Sequence, residues 1–251
     1  MHTRKTAYAA EFLGTFLLVL FIGLILASNS NAGLGTTNFA VIGLLHAFVL
    51  AMLIASLGAV SSAHFNPAVT IALRSLRKIS ATDAAIYIVA QLAGAVCAAL
   101  VVKLVLTNPA DVTNYGAPAV NKTFVSGNAG AAAAELIGTF VLVWAILATA
   151  VNPRGDHAWA PWMIGATLGL AVMAIGPITG AGLNPARAFG PALVANAFGG
   201  AGSFLLVYVL APIAGALLAG VGYRLIVLER RSEVRSAELV QEPFEEFALA
   251  N

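Results

Sequence analysis

The sequence predicts an all-α membrane protein with six transmembrane helices, two re-entrant half-helices and an inverted repeat. Three observations support this fold. Of the 251 residues 60% are hydrophobic and only 10% are charged, whereas soluble proteins carry about 25% charged residues. Six apolar runs are long enough to cross a hydrocarbon core of about 30 Å. Finally, two Asn-Pro-Ala segments, at Asn66 and Asn184, lie in equivalent places between these runs.

The six apolar runs are taken in chain order as the membrane spans. The first has a basic start at Met1–Lys5 that resembles a signal peptide, but the run is about 20 residues long and contains Glu11. A signal peptide has a shorter apolar region, so we interpret this run as a retained span. The predicted spans are Ala7–Ala27, Phe39–Ser56, Asp83–Leu106, Ala129–Ala150, Trp159–Ile175 and Ser203–Leu228.

Two short helices are predicted over Asn66–Leu76 and Asn184–Asn196. Asn is a favoured N-cap, and Pro67 and Pro185 stand at the first helical position, where the missing N–H costs nothing. At 1.5 Å per residue each helix is about 16–20 Å long, roughly half a membrane. Irregular backbone at that depth is tolerated only beside a cavity or inside protein, so these segments should line a cavity or be buried in protein.

A third Asn-Pro-Ala, at Asn108, is followed by a turn-rich loop with no apolar helix to cap. We therefore assign it no function.

The sequence also contains an internal repeat. Ala10–Phe16, with the sequence AEFLGTF, returns as Ala134–Phe140 with the sequence AELIGTF, and each copy precedes two more spans. Three spans per copy is an odd number, so the second copy must be inverted, which places the working site near the midplane. We expect one channel domain over residues 1–228, with repeats at about 7–106 and 129–228, and a cytoplasmic tail over 229–251.

The Lys and Arg residues predict the orientation. Under the six-span model nearly all of them fall on one side, with Lys103 and Lys122 towards the other and Arg187 inside the membrane. Both termini should therefore be cytoplasmic. The short loops favour a bacterial plasma membrane.

The paired Asn-Pro-Ala half-helices, the repeated Ala-Glu-x-x-Gly-Thr-Phe and the span pattern closely resemble the aquaporin, or major intrinsic protein, family over roughly residues 7–228. The resemblance implies a homotetramer in which each subunit holds its own pore. We expect passive transport of water, without enzymatic activity and without a cofactor, metal or nucleic-acid partner.

In such a pore the Asn66 and Asn184 carboxamides would donate hydrogen bonds to the passing oxygen. The two half-helix N-termini and Arg187 would raise a barrier to cations and protons, and a charge inside a membrane is functional by default. The acceptors would be backbone carbonyls of two extended segments before the half-helices, with candidate residues Ser62, Ala63, His64, Phe65, Gly180, Gly182 and Leu183.

The resemblance also implies a narrow outer filter of four residues. His46 lies twenty residues before Asn66, and Val172 and Ala181 lie twelve and three before Asn184; Arg187 completes the set. This set matches neither strict water channels nor glycerol facilitators, and it is most similar to plant vacuolar-type channels. Small neutral solutes such as glycerol, ammonia or hydrogen peroxide are therefore the alternative substrates.

Glu11 and Glu135 are the acids well inside predicted spans. An enzyme would use them as an acid–base pair, and an ion-coupled transporter, which also has broken helices, would need them free to titrate. Their equivalent positions in the two copies favour a third interpretation, in which each accepts hydrogen bonds from the loop of its own half. Gln91 and the His64 side chain are assigned similar structural roles.

Small residues within the spans predict close helix packing. The lone cysteine, Cys97, is expected to be a small core residue. The predicted packing positions are Gly14, Gly58, Gly94, Gly138, Gly169 and Gly215.

Overall fold

The structure is a computed structural model that describes residues 4–31, 36–106 and 113–229. Within these ranges six helices are long and apolar enough to cross a membrane, which confirms the predicted fold class. The third Asn-Pro-Ala, at residues 108–110, and the predicted tail from residue 230 onwards lie outside the described residues.

The first half contains three spans and one half-helix. Helix α1 (Arg4–Asn29) is followed by a two-residue antiparallel pairing in which Ser30 lies opposite Thr37. The remaining helices of this half are α2 (Phe39–Ser61), the half-helix α3 (Pro67–Ser75) and α4 (Ala81–Val105).

The second half repeats this order. It contains α5 (Asn128–Ile146), α6 (Ala160–Thr179), the half-helix α7 (Pro185–Ala195) and α8. Helix α5 ends in a π-helical turn (Leu147–Val151). Helix α8 is one span made of α-helical Ala201–Phe204, π-helical Leu205–Leu210, α-helical Ala211–Tyr223 and π-helical Arg224–Glu229.

Two spans are longer than predicted at the end that leads to a half-helix. Helix α2 continues to Ser61 instead of Ser56, and the left-handed Ser62 caps it with its N–H on the carbonyl of Gly58. Helix α6 continues through Pro177 to Thr179 and is capped by Gly180. Proline removes one helical hydrogen bond, yet α6 continues for two residues beyond Pro177.

Helices α1 and α4, α2 and α6, and α5 and α8 form the main packed pairs. An added Cβ at Gly94, Gly169 or Gly215 would overlap a backbone oxygen of the partner helix. Gly14 and Gly138 instead accommodate the side chains of Phe65 and Leu183, which belong to the loops before the half-helices. Gly94, Gly169 and Gly215 are therefore close helix-packing positions, as predicted, whereas Gly14 and Gly138 make room for loop side chains. The prediction for Gly58 is wrong, because the nearest atom to an added Cβ belongs to Ile54 of its own helix, at 3.8 Å.

The prediction for Cys97 is also wrong. Its side chain is exposed on α4, because the neighbouring Ala95, Ala98 and Ala99 occupy the buried face of the helix. Many large apolar side chains share this outward exposure, among them Val89, Leu104, Leu170 and Ile226. A surface of this kind is suited to contact with lipid tails.

Candidate functional site

The two half-helices begin in the same way. Asn66 and Asn184 are extended, with φ of −156° and −154°, and each is followed by a proline in the first helical turn. Asn66 Oδ1 accepts a hydrogen bond from the Ala68 N–H at 2.9 Å, and Asn184 Oδ1 accepts from the Ala186 N–H at 3.0 Å. Both asparagines are therefore N-caps, and Pro67 and Pro185 occupy the positions predicted for them.

The same asparagines join the two halves of the chain. Asn66 Nδ2 donates to the carbonyl of Leu183 at 2.9 Å, and Asn184 Nδ2 donates to the carbonyl of Phe65 at 2.8 Å. An amide nitrogen carries two hydrogens, so each side chain keeps one N–H beyond this reciprocal pair. Both asparagines also line one cavity, here called the central cavity, and their remaining N–H groups are donors available there.

The prediction that the loops before the half-helices are extended is wrong, because both loops contain left-handed residues. In the first loop φ is 66° at Ser62, 49° at Ala63 and 46° at Phe65; in the second it is 46° at Ala181 and 52° at Leu183. Alternation of left-handed with ordinary residues turns successive peptide groups in different directions. The carbonyls of Phe65 and Leu183 bind the two asparagines.

Ser62 adopts its left-handed conformation without the advantage of glycine. A left-handed L-residue costs roughly 1–2 kcal/mol, and glycine is free of that cost. We therefore expect Ser62→Gly to raise the free energy of unfolding by about 0.5–1 kcal/mol. Thermal unfolding in detergent would measure this, with Ser62→Ala as the matched control that keeps the strain. Equal melting temperatures for the two variants would contradict the prediction.

Glu11 is fully buried and accepts four hydrogen bonds. Its Oε1 accepts from Ser61 Oγ at 2.7 Å and from the His64 N–H at 2.9 Å. Its Oε2 accepts from the Phe65 N–H at 2.8 Å and from Gln91 Nε2 at 2.7 Å. Three of these donors belong to α2 or the loop that follows it, so the Glu11 carboxylate on α1 holds that loop in place.

Glu135 has the same position in the second half. Its Oε1 accepts from Thr179 Oγ1 at 2.6 Å and from the Gly182 N–H at 2.7 Å, and its Oε2 accepts from the Leu183 N–H at 2.6 Å. Neither glutamate lines the central cavity. This geometry does not favour an acid–base pair or an ion site open to the transport path.

Sequence reasoning missed two hydroxyl groups that complete these loops. Ser61 and Thr179 each donate to the glutamate of their half and accept the N–H of the residue two positions later, Ala63 or Ala181. Two tyrosines bind the carbonyls of the same residues, with Tyr87 on Ser61 at 3.0 Å and Tyr208 on Thr179 at 2.7 Å. Their equivalent places in the two halves were the signal that could have identified them.

Three of the four predicted filter residues, His46, Ala181 and Arg187, line the central cavity. Val172 is buried in the neighbouring apolar cluster and does not line that cavity, so its role remains a prediction. Gly180 is also absent from the cavity wall, because it packs against Pro118.

The Arg187 guanidinium is buried and held on one side. Its Nη1 donates to the carbonyl of Gly116 at 2.8 Å, while its Nε has no partner among the described residues. Gly116 lies 71 residues earlier, in the connection between the two halves, and has a φ of 92°. No periodicity or motif in that connection indicated this contact.

The central cavity is narrow and mostly apolar. Its volume is about 70 Å³, far below the roughly 300–1,000 Å³ of pockets for drug-sized ligands. Among the described residues, no group of three His, Cys, Asp or Glu side chains is placed to hold a metal ion. The polar side chains on the wall include His46, His64, Asn66, Asn184 and Arg187, and the aliphatic ones include Leu18, Ile22, Leu50, Ile54, Leu142, Ile146, Ile164 and Leu168.

Comparison with known proteins gives consistent results. The chain is 37% identical to Aquaporin AqpM of Methanothermobacter thermautotrophicus, over 88% of this chain and 96% of that protein. It is 38% identical to Glycerol uptake facilitator protein-like 6 of Lactiplantibacillus plantarum, over 84% of this chain and 94% of that protein. The fold is similar to the X-ray structure of the aquaglyceroporin from Plasmodium falciparum, with a TM-score of 0.77 and 23% identity, covering 92% of this chain and all of that one.

The family model described as Major intrinsic protein matches residues 2–223. Members of that family are channels, and the six apolar helices make this chain an integral, multi-pass membrane protein. The paired half-helices, the two buried glutamates and the family match all agree: the chain belongs to the major intrinsic protein, or aquaporin, family.

Proposed function

We propose that this protein is a passive channel that conducts water in single file and excludes protons and ions. The observation that carries the proposal is the asparagine pair in a narrow apolar cavity. Asn66 and Asn184 each use one N–H to join the halves and keep one for the cavity. The aliphatic wall supplies few other partners, so a molecule at this point receives its hydrogen bonds from a small set of fixed groups.

Exclusion of protons follows from the direction of these hydrogen bonds. A water oxygen that accepts from both asparagines has its lone pairs occupied. It cannot at the same time accept a proton from the next water, so the chain along which a proton would hop is interrupted. The positive N-terminal ends of α3 and α7 meet at the same place and add an electrostatic barrier to cations.

Arg187 contributes a fixed positive charge to the same barrier. Its guanidinium is buried, its Nη1 donates to Gly116, and its Nε has no partner in the part of the chain that the structure describes. The Arg187 side chain also lines the central cavity, where its charge would attract the lone pair of a passing neutral molecule. Arg187 therefore repels cations and binds neutral acceptors.

Small neutral solutes are the second candidate substrates. Ala181 is small, and Val172, if it reaches the filter, would supply no hydrogen bond. One relative is named as a glycerol uptake facilitator protein. Water and solute transport therefore have to be measured side by side.

Other parts of the proposal concern the setting of the channel. We infer one channel domain over residues 1–228 that assembles as a homotetramer with one pore per subunit. We place it in a bacterial plasma membrane because its loops are short. We place both termini in the cytoplasm, because exposed cations such as Arg74, Arg77, Lys78 and Arg154 fall on one side of the six-span order.

Stopped-flow light scattering on proteoliposomes would test the proposal by comparing osmotic water flux with glycerol and ammonia uptake. We expect fast water flux, with a lower activation energy than empty liposomes, and little glycerol uptake. Arg187→Ala and His46→Ala each remove a bulky side chain from the cavity wall, and the wider cavity should favour the larger solute. A change of about 1 kcal/mol in a barrier alters a rate about fivefold, so each variant should raise the glycerol-to-water ratio by about that factor.

Arg154→Ala is the matched control, since this exposed arginine lies in the loop before α6 and should leave the ratio unchanged. If water flux is no higher than in empty liposomes while glycerol or ammonia is taken up, the protein conducts a solute and the proposal for water is wrong.

A further inference from the structure

His64 has a side chain whose placement the loop scaffold does not explain. It lies two residues before Asn66, lines the central cavity and is 8% exposed. The Tyr87 ring packs edge-to-face against the imidazole, with centroids 5.1 Å apart. Its backbone N–H binds Glu11, so the loop uses the main chain of this residue and leaves the role of its side chain open.

The hydrogen bonds around Thr70 determine which nitrogen of His64 carries the proton. Thr70 Oγ1 lies 3.0 Å from the carbonyl oxygen of Asn66, 3.0 Å from Gln91 Nε2 and 3.1 Å from His64 Nδ1. The hydroxyl has one hydrogen, and a carbonyl can only accept. If that hydrogen pointed to His64, two oxygens would face each other at 3.0 Å without a proton between them.

The favourable arrangement therefore has the Thr70 hydroxyl donating to Asn66. Thr70 Oγ1 then accepts from both Gln91 and His64, so that His64 Nδ1 carries the hydrogen. Nε2 of the neutral ring is left as an acceptor, and no partner for it is found among the described residues. It is also not among the buried unpartnered atoms, which is consistent with an atom open to the cavity.

His46 also carries its hydrogen on Nδ1, because of a different hydrogen bond. Its Nδ1 lies 2.7 Å from the carbonyl of Ile42, so Nδ1 must be the donor. Both cavity-lining imidazoles therefore leave Nε2 free, one beside Arg187 and the other beside the asparagine pair.

The second half of the chain shows that the loop does not need this imidazole. Counting from each asparagine, the positions of His64 and Thr70 are occupied by Gly182 and Ala188. The second loop is still held by Glu135 and Thr179. The His64–Thr70–Gln91 group is thus an addition confined to the first half.

We propose that His64 contacts the permeating molecule, accepting a hydrogen bond at Nε2, and that Thr70 is the positioning residue that keeps Nδ1 protonated. This inference rests on the proposed function as a channel for water or small neutral solutes. The asparagines supply donors and His64 supplies an acceptor on the α3 side of them. The arrangement favours solutes that carry polar hydrogens, such as water and ammonia.

Nitrogen-15 NMR of the histidine-labelled full chain in lipid bilayers tests the tautomer, with the His64 signals assigned by their loss in His64→Leu. We expect protonated Nδ1 and unprotonated Nε2 in the wild type and in Thr70→Ser. Thr70→Val removes the acceptor, so the preference for Nδ1–H should be lost. A wild-type His64 protonated at Nε2 alone would overturn the proposal.

Water flux tests the contact itself. Because a lost hydrogen bond of about 1 kcal/mol alters a rate about fivefold, we expect His64→Leu to lower the single-channel water permeability by about that factor and Thr70→Val to lower it less. Ser75→Ala, in which the lost hydroxyl lies on α3 outside the cavity wall, should conduct like the wild type. An unchanged flux in His64→Leu contradicts this inference alone, whereas a wild type that conducts neither water nor ammonia contradicts the proposed function.

Discussion

Glu135→Ala is expected to prevent stable folding of the channel. The substitution leaves the N–H groups of Gly182 and Leu183 buried without an acceptor, while the Thr179 hydroxyl can still turn to the carbonyl of Ile175, 3.5 Å away. Each unsatisfied buried donor costs about 1–3 kcal/mol, so the loss is about 2–6 kcal/mol. That is a large part of the roughly 5–15 kcal/mol that stabilises a typical protein.

Thermal unfolding in detergent and the yield of monodisperse protein would measure this loss. Thr139→Val is the matched control on the same helix, because the Thr139 hydroxyl binds the carbonyl of Glu135 within α5 and serves no loop group. We expect that control to cost less than about 1 kcal/mol. A Glu135→Ala protein as stable as Thr139→Val would show that the glutamate does not hold the loop.

Gly190→Ala is expected to destabilise the protein although it improves helix propensity. Gly190 is buried in the half-helix α7, and an added Cβ would overlap the backbone carbonyl of Ala95 in α4. Propensity alone favours alanine by about 1 kcal/mol, but overpacking against backbone costs about 1–3 kcal/mol or more. Because α7 carries Asn184 and Arg187 at its start, its displacement should also reduce water flux.

Gly202→Ala gives the opposite sign. Among the described residues, no atom outside its own helical turn lies within 4 Å of an added Cβ at Gly202, which is helical, so this control should gain up to about 1 kcal/mol. The two variants would be compared by thermal unfolding and by stopped-flow flux in the same lipid. Similar gains in melting temperature for both would mean that α7 and α4 are not in close contact.

The sequence was informative where one strong effect dominates. Hydropathy identified all six spans, because a bilayer core admits few alternatives to a continuous apolar helix. The caps Asn66 and Asn184 and the buried Glu11 and Glu135 were found because each occurs twice in equivalent places. Duplication turned two weak local signals into one strong one.

The remaining features depend on contacts between distant residues. Arg187 binds a backbone carbonyl of Gly116, and a carbonyl is present at every position, so no residue type marks the partner. Helix α6 continues through Gly176 and Pro177, although both residue types disfavour a helix and the predicted span ended at Ile175. The left-handed residues before each half-helix include Ala63 and Phe65, whose own preferences oppose that conformation, and the hydrogen bonds to Glu11 outweigh them.

The reciprocal pairing of Asn66 with Leu183 and of Asn184 with Phe65 has a consequence for biosynthesis and ancestry. During synthesis the Asn66 amide lacks this acceptor until Leu183, 117 positions later, has entered the membrane. The first half therefore remains unfinished until the second half arrives. A single copy could complete this pairing only with another copy facing it, so the geometry accounts for why the unit occurs as two fused, oppositely oriented copies.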